Sequence, residues 1–387
     1  MKKYFVGLLL ILAGSCKEKY IPDFTTPETG YLVVEGVVNT GPDSTYIELS
    51  RTNKVGTIQK QYEPGASIQV EGNDNSIFPL TEISALSGRY AAPLNLNNTV
   101  QYRLRIKTQA GKEYLSDFAE VKITPPIDSI SWQRENNGVQ FYINTHDPQN
   151  KTLYYSWDYK ETWEFHSAFR SFLKYVTNLG PYGIDAVGIE YKDPATILRD
   201  TLLYKCWRSF ASDQLLIGSS AKLTQDLIYK PLLYIPVGDR KISVLYSVTL
   251  KQYALTKAGY EFLEKMKKNT EENGSIFDAQ PSQLKGNIHC ITNPAEPVIG
   301  YVNVSSVAEK RIFISNSQVP RWNFTTECEE VKVRNNPDSI SDVFRSGSLP
   351  TDALELSGNS IIYFGVTTPA CLDCTLSGTN VKPAFWP

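Results

Sequence analysis

Apolar and polar residues alternate along most of this chain. In residues 100–107, Val100, Tyr102, Leu104 and Ile106 face one way and Gln101, Arg103, Arg105 and Lys107 the other. That period of two marks a strand with one buried and one wet face. Residues 31–38, 45–49 and 67–71 read as further strands, and Ala110-Gly111-Lys112 as a hairpin turn. Short strands at this spacing predict a β-sandwich over residues 28–124. Pro125-Pro126 closes it, because consecutive prolines cannot donate to a strand ladder.

A second sandwich-like domain is predicted over residues 125–387. Its first strands fall at 127–132, 139–143 and 153–157, with Asn136-Asn137-Gly138 as a turn between two of them. From about 160 to 235 the alternation fails among aromatics and glycines, which reads as a long insertion. Strands resume at 242–250 and recur at 299–304, 311–315 and 360–366. One helix is expected over about 257–270, with Thr256 as N-cap, Tyr260, Leu263 and Met266 on one face, and Asn273-Gly274 as the stop. The aromatic tail 379–387 is expected to dock on the body. The fold class expected is mostly β: two β-sandwich domains of immunoglobulin or transthyretin type, the second carrying the insertion and one α-helix.

The amino terminus adds a location. Lys2 and Lys3 precede an apolar run from Tyr4 to Ala13, too short to span a bilayer. Residues 1–15 therefore read as a secretory signal peptide. Ala13-Gly14-Ser15 leads into Cys16, which resembles the lipobox of bacterial lipoproteins, with Leu12 one place further from the cysteine than usual. Lipidation of Cys16 is expected, followed by a charged, Pro-bearing tether over 16–27. The membrane is thus reached through a lipid anchor. Loss of residues 1–15 removes two lysines, leaving a more acidic chain that anionic headgroups would not attract.

Composition narrows the chemistry. Net charge is −2, so no basic field exists for nucleic acid. The three histidines, His146, His166 and His289, form no metal-binding spacing, and neither a nucleophile elbow nor a phosphate loop occurs. No enzyme, cofactor or metal is expected. Beyond Cys16 five cysteines remain, an odd number, in a compartment where disulfides persist. A structural disulfide involving Cys371 or Cys374 is expected, its partner being Cys328, Cys206 or the other member of the pair. Exposed aromatics at Trp163, Phe165 or Phe169 would suit a ligand or partner protein, with core packing as the alternative.

Several segments carry a family resemblance: Tyr31-Leu32-Val33-Val34-Glu35-Gly36, residues 246–253, Gly274-Ser275-Ile276-Phe277-Asp278, residues 281–288 and Cys371-Leu372-Asp373-Cys374. Together with the lipoprotein start they resemble a Bacteroidota outer-membrane lipoprotein family classed as a domain of unknown function. The resemblance implies a TonB-dependent outer-membrane receptor as partner, and an anchored, surface-facing protein that captures ligand or assists the transporter. It defines no catalytic or ligand residue. Asp-Ser or Asp-Thr pairs at Ser44, Ser129, Thr201 and Ser339 resemble the O-glycosylation sequon of exported Bacteroidota proteins. A structural or adhesive surface module binding glycan or protein is the second functional reading, and a hydrolase on a β scaffold the third.

Overall fold

The computed structural model describes residues 30–53, 59–181, 183–272 and 285–387. The signal peptide, Cys16, the tether and Asn273-Gly274 lie outside them, as do residues 275–278 and 281–284. The described chain is mostly β.

Ten strands form the first sheet. Its path runs from Ile288–Cys290 through Glu113–Ser116, Tyr102–Lys107, Ser67–Gly72, Ile77–Glu82 and Arg89–Pro93. It continues through Ser44–Arg51 and Leu32–Asn39 to Asn303–Ser305, with Gln61–Tyr62 beside Ser44–Arg51. Leu32, Ile47, Leu49, Val70, Leu104, Ile106 and Tyr114 turn inward into one core. Gly111, at φ +80°, closes the 107–113 hairpin in the left-handed region that glycine tolerates.

The junction at Pro125-Pro126 separates two cores, but the span after it does not stay in the second. Residues 285–305 return to the first sheet, and Ile288, Cys290, Val298, Val302 and Val304 complete its core. Asn303–Ser305 pairs in parallel with Leu32–Asn39, matching Val37 to Asn303 and Asn39 to Ser305. No local pattern announces a pairing between segments so far apart in sequence.

Two further sheets share the second core. One has three strands, Ile228–Pro236, Gly138–Thr145 and Ile127–Glu135. The other has five, with Tyr154–His166 between Lys205–Ala211 and Leu245–Ala254, Val307–Ser315 on the outer edge, and Leu216–Ser219 also on Tyr154–His166. Buried Gln252 ties the core to the Pro125-Pro126 junction: its Nε2 donates to the Pro125 carbonyl at 2.9 Å, and its Oε1 accepts from Trp157 Nε1 at 2.7 Å.

The insertion expected over 160–235 is largely sheet. Tyr154–His166 runs unbroken for 13 residues, and residues 161–165 are all buried. Burial on both faces erases the alternation that marks a half-wet strand. Buried Glu161 accepts from Lys241 Nζ at 2.9 Å and Tyr246 OH at 2.7 Å, while Lys205 Nζ and Trp386 Nε1 reach Glu164 at 2.9 and 3.1 Å. What departs from the sheet is the hairpin Leu173–Gly180 and Gly183–Tyr191, followed by the short helix Pro194–Asp200.

The longer helix spans Lys257–Lys267 and passes into a π-turn over Lys268–Glu272. Thr256 Oγ1 accepts from the Gly259 N–H at 3.1 Å, the expected cap. Gly259 and Phe262 are buried, flanked by half-buried Tyr260, Leu263 and Met266.

At the carboxyl end Val331–Arg334, Ser360–Thr367 and Leu349–Ser357 make a three-stranded sheet, packed with the helix Pro337–Arg345 and the 173–191 hairpin around Leu173, Phe364 and Val366. Disulfides Cys206–Cys374 and Cys328–Cys371 close separations of 168 and 43 residues, each with Cα atoms 5.7 Å apart. Crosslinks of this kind contribute about 2–4 kcal/mol each. Trp386 in the tail is buried. Cys290 is the buried free thiol among the described cysteines.

Candidate functional site

Strand alternation builds a cleft of about 720 Å³. Along Leu32–Asn39 the inward residues are Leu32, Val34 and Val38, so Val33, Glu35 and Val37 form the first wall. Opposite, burial of Tyr155, Trp157 and Tyr159 leaves Ser156 and Asp158 facing out, and burial of Leu250, Gln252 and Ala254 does the same for Lys251 and Tyr253. Phe262, Leu263 and Met266 of the long helix border it, and the returning segment at Ile299–Asn303 completes the lining. The cleft therefore lies between the wet faces of strands from two different cores.

Four carboxylates, Glu35, Asp43, Asp158 and Asp213, line it against one ammonium, Lys251. Glu35 is paired with Lys60. Tyr253 OH donates to Asp158 Oδ2 at 2.8 Å. Asp158 is solvent-accessible but crowded by the cleft walls, and the hydration they withhold raises its carboxyl above the usual range; the Tyr253 hydrogen bond and the Lys251 charge oppose this incompletely, and Glu309 adds repulsion. Burial, then the Asp158 charge, pushes the Tyr253 phenol well above its ordinary value. Asn303 is 5% exposed, and its Oδ1 has no hydrogen-bond partner among the described residues. A Cβ at Gly259 would stand 2.3 Å from that oxygen, so the helix needs glycine there. Tyr46, 58% exposed, adds an accessible ring. The cleft is rich in acceptors and poor in cations.

A second pocket of about 300 Å³ lies beside the 173–191 hairpin and has a mostly apolar lining.

The aromatics singled out by sequence separate. Trp163 and Phe165 are 8% and 1% exposed and belong to the second core, which corrects the reading of them as accessible contacts. Lys241 and Arg240 cover their rings at 5.4 and 3.9 Å. Phe169 is half-buried and lines the smaller pocket. Thr201 is exposed at that pocket, half-buried Ser44 borders the cleft, and Ser129 and Ser339 are half-buried in a strand and a helix. The histidines stand apart, each beside a carboxylate: His146 with Asp128 at 2.7 Å, His166 with Glu164 at 3.2 Å, His289 with Asp117 at 3.2 Å. Among the described residues no group of three His, Cys, Asp or Glu side chains is placed to hold a metal ion. Nor is any helix there long and apolar enough to cross a membrane.

Asp158, Tyr253 and Asn303 were not found by sequence reasoning. The signal for Asp158 and Tyr253 was only the outward parity of strands whose inward faces are core, and buried Asn303 had none.

Fold and cleft thus define a β protein with a recess between packed sheets. The chain belongs to the family described as Domain of unknown function (DUF4249), whose profile matches residues 17–311. No curated protein matches it in sequence. A solved structure from Bacteroides uniformis ATCC 8492, described as a candidate carbohydrate-binding protein, is 10% identical and covers 58% of this chain and 90% of that one. Its TM-score of 0.14 is too low to carry an argument about fold or ligand.

Proposed function

We propose that this is a non-catalytic, lipid-anchored binding protein of the outer membrane. It faces the cell surface and captures ligand as an accessory of a TonB-dependent transporter. The cleft carries the capture reading: four carboxylates and a single ammonium suit a ligand that brings hydrogen-bond donors. Support for the anchor comes from the run into Cys16, and for the transporter from the family resemblance.

Native mass spectrometry of the protein released from outer membranes tests the capture. The wild type should carry an added mass that Tyr46→Ala and Asp158→Ala lose. An identical mass state in all three would sink the cleft as the ligand site.

A surface adhesive module is the second reading. It is favoured by the apolar hairpin end, where Leu179 and Ile184 are 86% and 69% exposed.

A further inference from the structure

The smaller pocket has walls unlike those of the cleft. Residues 167–173 form a strap leaving Tyr154–His166, and its backbone is tied on three sides. Phe169 N–H donates to the Cys371 carbonyl at 3.1 Å, Phe172 N–H to the Thr351 carbonyl at 2.6 Å, and Lys192 N–H to the Phe172 carbonyl at 2.9 Å. Both disulfides border the site: Cys371 precedes Leu372 in the wall, and Cys206 follows two residues after Tyr204. The pocket is therefore held open without a ligand, which lowers the ordering cost of binding. Its volume of about 300 Å³ lies at the small end of the range for small-molecule sites.

Charge selects the occupant. The two lining acids are engaged, Asp200 by Lys192 Nζ at 2.8 Å and Asp373 by the Thr375 N–H at 2.8 Å and hydroxyl at 2.5 Å. Lys174 is paired with Glu190 at 2.8 Å. Arg170 is exposed and makes no ion pair among the described residues. Its guanidinium lies 4.1 Å above the Tyr204 ring, which itself stacks on His166 at 4.8 Å. An arginine stacked on a ring keeps its donor fork free for a carboxylate.

We propose that this pocket binds a small apolar monocarboxylate, its hydrocarbon body between Phe169, Phe172, Leu203 and Leu372 and its carboxylate on Arg170. The site shares no wall with the cleft, so the two stand or fall separately.

The probes are phenylacetate and its neutral isostere phenylacetamide, titrated into the full-length protein by calorimetry. Phenylacetate should bind saturably with Kd at or below ~1 mM and the amide at least ~10-fold more weakly, the scale of one charge-assisted hydrogen bond. Arg170→Gln should erase that preference, Leu203→Trp should abolish binding of both, and Tyr46→Ala in the cleft should change neither. Arg170 is exposed, so Arg170→Gln should keep the wild-type melting temperature, which a thermal scan checks. Absence of saturable phenylacetate binding, equal binding of acid and amide, or an unchanged preference in Arg170→Gln would each overturn the proposal.

Discussion

Asp158 reaches the cleft through the same parity that buries Tyr155, Trp157 and Tyr159. The cleft walls crowd this accessible carboxyl and raise it by withholding water, and the Tyr253 hydrogen bond does not fully offset this. The folded chain therefore keeps the Asp158 proton to higher pH than the unfolded chain, whose aspartates titrate near ~3.9. Charged Asp158 costs stability, and the cost grows as pH rises through the raised value. Asp158→Asn should accordingly raise the melting temperature at neutral pH, with the gain fading as acid protonates the wild type. A gain that is the same at every pH, or an Asp158 carboxyl titrating by NMR at or below the ordinary aspartate range, would contradict this. Little at this scale was legible in sequence. The cysteine count predicted disulfides, yet pairing Cys206 with Cys374 depends on a tail returning across 168 residues. Trp163 and Phe165 read as accessible because strand Tyr154–His166 is buried on both faces there and loses its alternation.

Strand Tyr102–Lys107 was readable because only one of its faces is wet. On that face Glu71 of Ser67–Gly72 accepts from Arg103 Nε at 2.8 Å and Arg105 Nε at 2.5 Å. Burial alone would raise the Glu71 carboxyl; the two guanidiniums outweigh it and hold the group below the usual range. Its stabilising contribution is present above the unfolded glutamate value, near ~4.3, and is lost as pH falls through the lowered folded value. Glu71→Gln should cost about 1 kcal/mol near pH 7. Denaturant unfolding across acidic pH should show that cost shrinking toward zero, and a cost undiminished in acid would refute the ladder. The helix Lys257–Lys267 was equally legible, since its Thr256 cap and apolar face are local features. Hairpin Leu173–Gly180 and Gly183–Tyr191 was not, because its core partners Phe364 and Val366 come from the distant carboxyl-terminal sheet.

For the whole molecule, the informative departure is the return of residues 285–305 to the first sheet. That return supplies one wall of the cleft and makes a single cut of the chain at 125 insufficient, since the first core lacks Ile288, Val302 and Val304 without it. Every residue lining the cleft falls between Val33 and Val307, inside the span matched by the family profile, whereas the smaller pocket also draws on the disulfide-pinned carboxyl-terminal segment. The mostly β character was legible because it follows from period-two patterning. The cleft was not, because it arises only where two cores meet. The central claim, an anchored accessory of a transporter, is tested most directly by affinity isolation of the full-length protein from detergent-solubilised outer membranes. A TonB-dependent receptor should be recovered with it in near-equal amount. Its recovery as a free monomer with no such receptor would contradict the account.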